Sequence, residues 1–146
     1  MICIKEIPFQ DTFPVRHVVL REGKPIESCF FEGDDLETTQ HFGLYLDKKV
    51  VAVVSLFKKN NAIFIENNQF QIRGMAVLKE TQKSGFGKIL LSHCEAELSK
   101  QKEVILWFNA RINAVPFYEK SGYTKKGTSF EIKDIGLHHL MFKKID

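Results

Sequence analysis

The chain has 146 residues and a formal net charge of +3, and 44% of its residues are hydrophobic. This length fits one domain with a single core, so residues 1–146 are expected to form one domain. The 21 basic residues are interleaved with 18 acidic ones, which argues against the clustered basic face of a nucleic-acid-binding domain. No apolar run approaches the length that crosses a membrane. We therefore expect neither a nucleic-acid nor a membrane partner.

The three cysteines, Cys3, Cys29 and Cys94, are widely spaced and form no CxxC pair or Cys/His cluster. This pattern indicates neither a disulfide framework nor a zinc site, and we expect no metal. The first residues, MICIKEIPF, lack the basic segment and long apolar run of a secretion signal. Both observations favour a reducing compartment, the cytoplasm. A homodimer is left open, because nothing in the sequence decides the oligomeric state.

The first half of the chain predicts one strand, one helix, an irregular segment and then several strands. Residues 2–7 alternate apolar and polar side chains, which predicts a strand. Asp11 or Thr12 is expected to cap a helix through about Arg21, with Pro14 in its first turn. Residues 26–39 read as an irregular loop, with a short helix inside it as the alternative. Three strands are then expected, at residues 41–46, 50–57 and 62–65.

The second half predicts a strand–turn–helix unit at its centre. Residues 70–78 read as a strand, and an amphipathic helix is expected from about residue 84 to residue 100. A buried strand (104–108), a loop and a short helix (114–120) capped by Asn113 follow. Two strands, at 123–128 and 137–144, are expected to end the chain. Because tight hairpins connect the early strands, this order predicts an α/β fold with one mixed sheet.

The turn between strand and helix contains two glycines, Gly85 and Gly87. A glycine-bearing turn at a helix N-terminus exposes backbone N–H groups to an anion, and Lys83 and Lys88 add positive charge. A P-loop would need glycine where Gln82 stands and Ser or Thr at position 89, which is isoleucine. The dinucleotide fingerprint would need a third glycine at position 90, which is leucine. A phosphate-binding turn of another kind is therefore indicated, and a nucleotide-binding oxidoreductase is disfavoured.

Residues 82–87, QKSGFG, satisfy the pattern Gln/Arg-x-x-Gly-x-Gly/Ala and resemble the acyl-CoA-binding motif of the GCN5-related N-acetyltransferase (GNAT) superfamily. Residues 109–123, NARINAVPFYEKSGY, look like the downstream Asn-x-x-Ala-x-x-Phe-Tyr-x-x-x-Gly-Phe region of that family. The resemblance covers the chain from about residue 50 to the C-terminus. It implies a mostly antiparallel mixed sheet flanked by helices, with acetyl-CoA as co-substrate. The acceptor it implies is a small-molecule or peptide amine that attacks directly in a ternary complex.

The same resemblance implies which residues bind acetyl-CoA. The backbone of one strand would hold the pantetheine arm, the glycine turn would hold the pyrophosphate, and the downstream block would add further contacts. In that order, these residues are Met75, Ala76 and Val77; Gln82, Lys83, Ser84, Gly85, Phe86, Gly87 and Lys88; and Asn109, Asn113 and Phe117.

For the chemistry, the resemblance assigns the hydroxyl of Tyr118 to the CoA sulfur, where a proton donor would assist the departing thiolate. No motif identifies the general base. Glu66, His139 and His41 are the candidates, and His139 lies in a segment that resembles Gly-Ile-Pro-His-x-x-Met of some bacterial members. Each of these side chains has an ordinary structural alternative as a surface or strand residue.

Two further charged features allow two interpretations each. Arg73, in the strand before the turn, would bind a substrate carboxylate or pair with a neighbouring acid. The segment with Asp34, Asp35 and Glu37 would attract a cationic amine or simply be solvated, and the solvated alternative is preferred. The main functional alternative for the whole chain is a non-catalytic acyl-CoA-binding sensor or partner module.

Overall fold

The structure is a computed structural model that describes residues 1–146, with seven strands and three α-helices. The elements, in chain order, are β1 (Ile2–Ile7), α1 (Phe13–Leu20), β2 (Gln40–Leu46), β3 (Lys49–Lys58), β4 (Gln69–Val77), α2 (Phe86–Leu98), β5 (Val104–Arg111), α3 (Val115–Lys120), β6 (Thr124–Ile132) and β7 (Gly136–Ile145).

The strands hydrogen-bond in the order β1-β2-β3-β4-β5-β7-β6. The β1–β2, β2–β3, β5–β7 and β6–β7 pairs are antiparallel, whereas β4 and β5 are parallel. This mixed, mostly antiparallel sheet confirms the predicted fold class. None of the helices combines the length and hydrophobicity needed to cross a membrane.

Backbone contacts divide the chain into two compact units. The first unit contains residues 1–58 and 72–97, and the second contains residues 59–71 and 98–146. The single domain expected from the chain length stays a prediction.

In the first unit, β3 is the most deeply buried strand. Its residues 51–57 are all buried, as their nearly all-apolar run predicts for a central strand. The register places Ser55 opposite His41 and His41 opposite Ile7. Because paired residues share a face of the sheet, this face carries polar side chains into the interior.

In the second unit, a cluster of buried side chains packs around the only tryptophan of the chain. Phe64, Ile105, Trp107 and Leu140 form it. The indole Nε1–H of Trp107 donates a hydrogen bond of 2.9 Å to the carbonyl of Lys59, so the buried polar end of the ring is satisfied.

The predicted strand at residues 62–65 is wrong, because residues 62 and 63 form a turn and residues 64 and 65 have no regular secondary structure. The side chain of Gln69 replaces the ladder: its Oε1 accepts from the N–H of Asn61 at 2.7 Å and its Nε2 donates to the carbonyl of Glu66 at 2.8 Å. Phe64 is buried while its neighbours Ile63 and Ile65 are exposed. Of the apolar residues at 63–65, only Phe64 is therefore buried, and the segment needs no strand to bury it.

Two predicted helix caps are also wrong. A 3-10 turn, Ile112–Ala114, precedes α3, whose N-cap residue is Ala114 with no side-chain cap, so Asn113 does not cap it. Another 3-10 turn, Phe9–Thr12, precedes α1. Thr12 is the N-cap residue of α1, but its hydroxyl donates to the carbonyl of Phe9 at 2.6 Å instead of capping. The loop expected after residue 108 is partly strand, since β5 extends to Arg111.

Candidate functional site

The glycine turn leads into α2 and leaves a series of backbone N–H groups without acceptors. The N–H groups of Lys83 to Lys88 donate no backbone hydrogen bond, and the first bond into the helix runs from Ile89 N to Gly85 O at 3.0 Å. Residues 82–85 and Lys88 are exposed. Unsatisfied N–H groups at the positive end of a helix attract an anion. The turn therefore has the donor set that a pyrophosphate requires.

Two residues of this turn adopt left-handed backbone conformations. Lys83 has a φ of 69° and Gly85 has a φ of 80°. No atom lies within 4 Å of the position that a Cβ of Gly85 would take, so a ligand can approach the backbone closely there. The turn is tied back to the strand by Gln82, whose Nε2 donates to the carbonyl of Val77 at 3.1 Å.

The start of α2 packs directly on the end of β4. A Cβ built on Gly87 would lie 3.6 Å from the Sδ of Met75 and 3.9 Å from a methyl group of Val77. The side chains of Met75 and Val77 therefore face the helix, and Ala76 between them points to the opposite face. The predicted pantetheine-binding residues and the predicted pyrophosphate turn thus lie together within the first unit.

In the second unit, Tyr118 lies on α3 among other aromatic rings. Its ring centroid is 4.5 Å from that of Phe108 and 5.1 Å from that of Phe117. Its hydroxyl forms no hydrogen bond within the protein and is not sealed from solvent. Burial of the ring raises the pKa of Tyr118, so the hydroxyl keeps its proton through neutral pH and beyond. A protonated, accessible hydroxyl is what a general acid requires.

The other predicted residues of the downstream block are exposed. Phe117 packs its ring edge-on against Tyr118 and keeps 45% of its surface exposed. Asn109 and Asn113 are exposed as well. Asn113, which does not cap α3, has no hydrogen-bond partner in the protein, so its amide is available to a ligand.

The register of β5 and β7 places His139 on the same face as the Tyr118 cluster. His139 pairs with Ala110 and Met141 pairs with Phe108. Paired residues share a face, and so do residues two apart in a strand. His139 therefore lies on the face of Phe108, against which Tyr118 packs. The neighbouring His138 lies on the opposite face, where its ring stacks on Phe130.

Glu66 lies away from this face. It lines a pocket of about 360 Å³ with Lys102, Glu103 and Lys144, among others. Glu103 immediately precedes β5, whereas Phe108 and Ala110 lie near its other end. At about 3.3 Å per residue, some 15 Å of strand separates the two positions. The second unit therefore does not bring Glu66 and Tyr118 together.

The third base candidate, His41, belongs to a buried polar network of the first unit. Its Nε2 lies 2.9 Å from the carbonyl of Asp34, and its Nδ1 lies 2.6 Å from the Oγ of Ser55. The carbonyl can only accept, so Nε2 carries the proton and Nδ1 accepts from the hydroxyl. Burial lowers the pKa of His41. With both ring nitrogens engaged and 3% of its surface exposed, His41 is not available as a base.

The carboxylate of Asp34 forms the centre of the same network. Its two oxygens accept from Nη1 and Nη2 of Arg16 at 2.6 and 3.1 Å. Arg16 Nη2 also donates to Ser55 Oγ at 2.9 Å. Asp34 is 2% exposed, so the expectation of a solvated acidic segment is wrong at this residue. Although Ser55, His41 and Asp34 resemble a catalytic triad in composition, the Ser55 hydroxyl is fully buried and the carboxylate faces Arg16.

The sequence did not indicate two features of the first unit. Arg16 lies in the largely apolar stretch FPVRHVVL of α1, and the presence of an arginine among apolar residues was the only available signal. Gly74 has a φ of 66° inside β4. An isolated glycine in a strand pattern often marks a bulge or a close approach. A Cβ here would lie 2.9 Å from the ring of Phe31 and 3.4 Å from Arg16 Nε.

With this geometry established, the comparisons with other proteins are consistent with one another. Residues 31–144 match the family described as Acetyltransferase (GNAT) domain. The chain is 30% identical over 145 residues to the uncharacterized N-acetyltransferase YitI of Bacillus subtilis. The alignment covers 99% of this chain and 97% of that relative. The chain therefore belongs to the GNAT family. It is an acetyltransferase, as its relatives are named.

Solved structures agree with the fold. The ribosomal-protein-S18-alanine N-acetyltransferase of Escherichia coli has a TM-score of 0.77 at 19% identity, over 99% of this chain and 94% of that one. An aminoglycoside 6'-N-acetyltransferase complexed with coenzyme A has a TM-score of 0.74 at 13% identity, over 99% and 97%.

Proposed function

We propose that the chain transfers an acetyl group from acetyl-CoA to a primary amine by direct attack within a ternary complex. The observation that carries the proposal is the turn at residues 82–88. Its unsatisfied N–H groups and two exposed lysines suit a pyrophosphate, and Gly87 packs this turn on the strand segment of Met75 and Val77. Support also comes from the family, whose solved relatives include one complexed with coenzyme A.

Bound acetyl-CoA supplies a thioester carbonyl that a neutral amine attacks, with a CoA thiolate as leaving group. We assign to Met75, Ala76 and Val77 the backbone contacts to the pantetheine arm. The residues from Gln82 to Lys88 hold the pyrophosphate. Asn109, Asn113 and Phe117 are assigned further contacts, because each presents exposed surface.

Tyr118 is the proposed proton donor to the thiolate, since burial raises its pKa and its hydroxyl has no partner in the protein. His139 is the proposed acceptor of the amine proton, directly or through water, because it shares the face of Phe108 with Tyr118. Glu66 has no part in this proposal, because it lies toward the other end of β5. The acceptor amine is not set by the fold, since the two structural relatives above are named for acceptors of different kinds.

The test measures release of free CoA thiol with acetyl-CoA and a panel of amines. Tyr118→Phe and His139→Gln are each expected to lower kcat by about 100-fold or more, the usual contribution of general acid–base catalysis. The dissociation constant of CoA should stay unchanged in both variants. Tyr45→Phe, a change of the same kind in the first unit, is the matched control and should retain full activity.

An unchanged rate in Tyr118→Phe would remove this residue from the mechanism, and the same holds for His139. Tight CoA binding without turnover of any amine would contradict acetyl transfer and favour a non-catalytic binding module.

A further inference from the structure

Three arginine side chains surround one buried phenyl ring in the first unit. The guanidinium carbons of Arg16, Arg21 and Arg73 lie 3.9, 5.0 and 5.1 Å from the ring centroid of Phe31. Each position is within the range of a favourable cation–π interaction. Such a concentration of positive charge around a buried group requires compensating negative charge or hydrogen-bond acceptors.

The protein supplies acceptors to two of these three arginines. Arg16 binds the carboxylate of Asp34 through two nitrogens and donates to the carbonyl of Cys29 at 2.7 Å. Arg21 donates to the carbonyls of Ser28 and Leu20 at 3.2 and 3.0 Å. Arg73 forms no hydrogen bond or ion pair with the protein. Of the three, Arg73 is the guanidinium that still has its full hydrogen-bonding capacity.

The surroundings of Arg73 hold its guanidinium in place without satisfying it. The group lies 5.1 Å from the ring centroid of Phe31 and 5.3 Å from that of Phe57. Phenyl rings attract the cation but do not replace carboxylate oxygens as acceptors for its five N–H groups. Partial burial lowers the pKa of Arg73, because its charged form is less well solvated there than in water. An anion that bound here would relieve this cost.

Arg73 also lies next to the segment proposed to hold acetyl-CoA. It is two residues before Met75 on β4, and Gly74 lies between them. The left-handed conformation of Gly74 and its missing side chain let the Phe31 ring approach the strand. The ring that holds the guanidinium is therefore packed against the strand beside the proposed pantetheine contacts. A ligand that bound Arg73 through an anionic group would lie at the acetyl end of this segment.

We propose that the acceptor amine carries a carboxylate and that Arg73 binds this carboxylate. The inference rests on the acetyl transfer proposed above and narrows its acceptor to amines of the amino-acid type. The planar fork of a guanidinium matches a carboxylate with two parallel hydrogen bonds. Asp34 does not compete for Arg73, because Arg16 occupies both of its oxygens. Glu32 is exposed and forms no ion pair.

The experiment compares each standard amino acid with its carboxamide as acceptor, with rates corrected for the neutral fraction of each amine. For the preferred side chain, the wild type should favour the free acid roughly 10- to 100-fold in kcat/KM, the range of hydrogen bonds to a charged group. In Arg73→Gln this ratio should fall to about 1. Arg73→Lys keeps the charge but loses the fork, so its ratio should be intermediate.

Lys49→Gln is the matched control, since it removes one exposed positive charge from the same unit and should leave the ratio unchanged. The dissociation constant of CoA should be the same in all four proteins. A role of Arg73 in packing alone would lower stability without changing the ratio. A wild type that uses amides as well as acids, or a preference that persists in Arg73→Gln, would overturn the proposal.

A second readout separates failure of this inference from failure of the proposed acetyl transfer. N-acetylated amino acids are titrated into the CoA-loaded wild type and into CoA-loaded Arg73→Gln by calorimetry. Binding that Arg73→Gln weakens at least 10-fold supports the carboxylate site even where no amine is turned over. Equal binding by the two proteins, or none by either, contradicts it.

Discussion

The buried polar network around Asp34 and the glycine turn before α2 differ in how far their polar groups are satisfied by hydrogen bonds within the protein. The network joins Arg16 of α1 and Asp34 of the following loop to His41 of β2 and Ser55 of β3. Its one buried polar side-chain atom without a hydrogen-bond partner is Arg16 Nε. In the turn, six successive residues donate no backbone hydrogen bond. Both lie in the first unit. Satisfied polar groups fix the fold, whereas groups left open at the surface are available to a ligand.

The charged residues of the first unit therefore fall into two groups, those whose hydrogen-bonding groups are already occupied and those with capacity left for a ligand. Asp34 and Arg16 are ionisable and central to the fold, yet they have little capacity left for a ligand. Arg73, near the same ring, has its full capacity. Arg16 and Arg73 both contact the ring of Phe31, but they differ in how many of their N–H groups already have an acceptor.

The largest expected effect is the loss of stability in Asp34→Ala. The change leaves the guanidinium of Arg16 buried without its counter-ion, which typically costs about 3–5 kcal/mol. Urea denaturation measures the free energy of unfolding. Asp35→Ala removes an exposed carboxylate next in the chain and should change it by no more than about 0.5 kcal/mol. Similar losses in the two variants would show that the network does not stabilise the fold.

Gly85→Asp should mainly weaken CoA binding by the turn, with a smaller effect on stability. The carboxylate would repel the phosphates of CoA at the N-terminus of α2, and we expect binding to weaken by roughly 100-fold or more, as when charge-assisted hydrogen bonds are lost. The left-handed backbone costs about 1–2 kcal/mol of stability. Calorimetry with CoA measures the affinity.

Gly23→Asp is the matched control for this substitution, because Gly23 has a φ of 77° and open space around its Cβ position. It should lose the same stability and keep its CoA affinity. CoA binding that survives Gly85→Asp would refute the assignment of the turn.

The smallest expected effect is a pH dependence of stability that comes from His41. Burial lowers its pKa below the usual value near 6.5, so the folded state binds a proton less readily than the unfolded chain. Its stabilising contribution is complete above about pH 6.5 and is lost as the pH falls toward the lower folded value, at no more than about 1.4 kcal/mol per pH unit.

Urea denaturation between about pH 8 and about pH 5 measures this effect. The stability difference between the wild type and His41→Gln should narrow as the pH falls. A constant difference across the range would mean that His41 is not held neutral.

Local patterns were sufficient for most of the fold. The nearly continuous apolar run of β3 and the periodicity of α2 predict the observed elements, because each pattern reflects the burial of its own residues. The alternation in β1 also predicts its strand, although only Ile7 of that strand is buried. The 62–65 segment failed for the opposite reason. The residues on either side of it, Asn61 and Glu66, are bound by the side chain of Gln69, and the apolar pattern of residues 62–65 does not report a hydrogen bond from a side chain outside the segment.

The candidate site divides in a similar way. The turn at residues 82–88 was predictable, because its glycines and lysines are adjacent in the chain. The burial of Asp34 was not, since it depends on Arg16, which is 18 residues away. The face on which His139 lies depends on its pairing with Ala110. Its sequence context resembles that of a family segment, but alternation alone does not decide between His138 and His139.

The position of Trp107 has a practical consequence for measuring the unfolding of this protein in solution. The chain has one tryptophan, and it lies in the core of the second unit. Its fluorescence therefore reports on that unit by itself, whereas circular dichroism averages over both. If the two signals change at the same denaturant concentration, the two units unfold together, and if they change at different concentrations, the units unfold in steps. No added label is needed for this measurement.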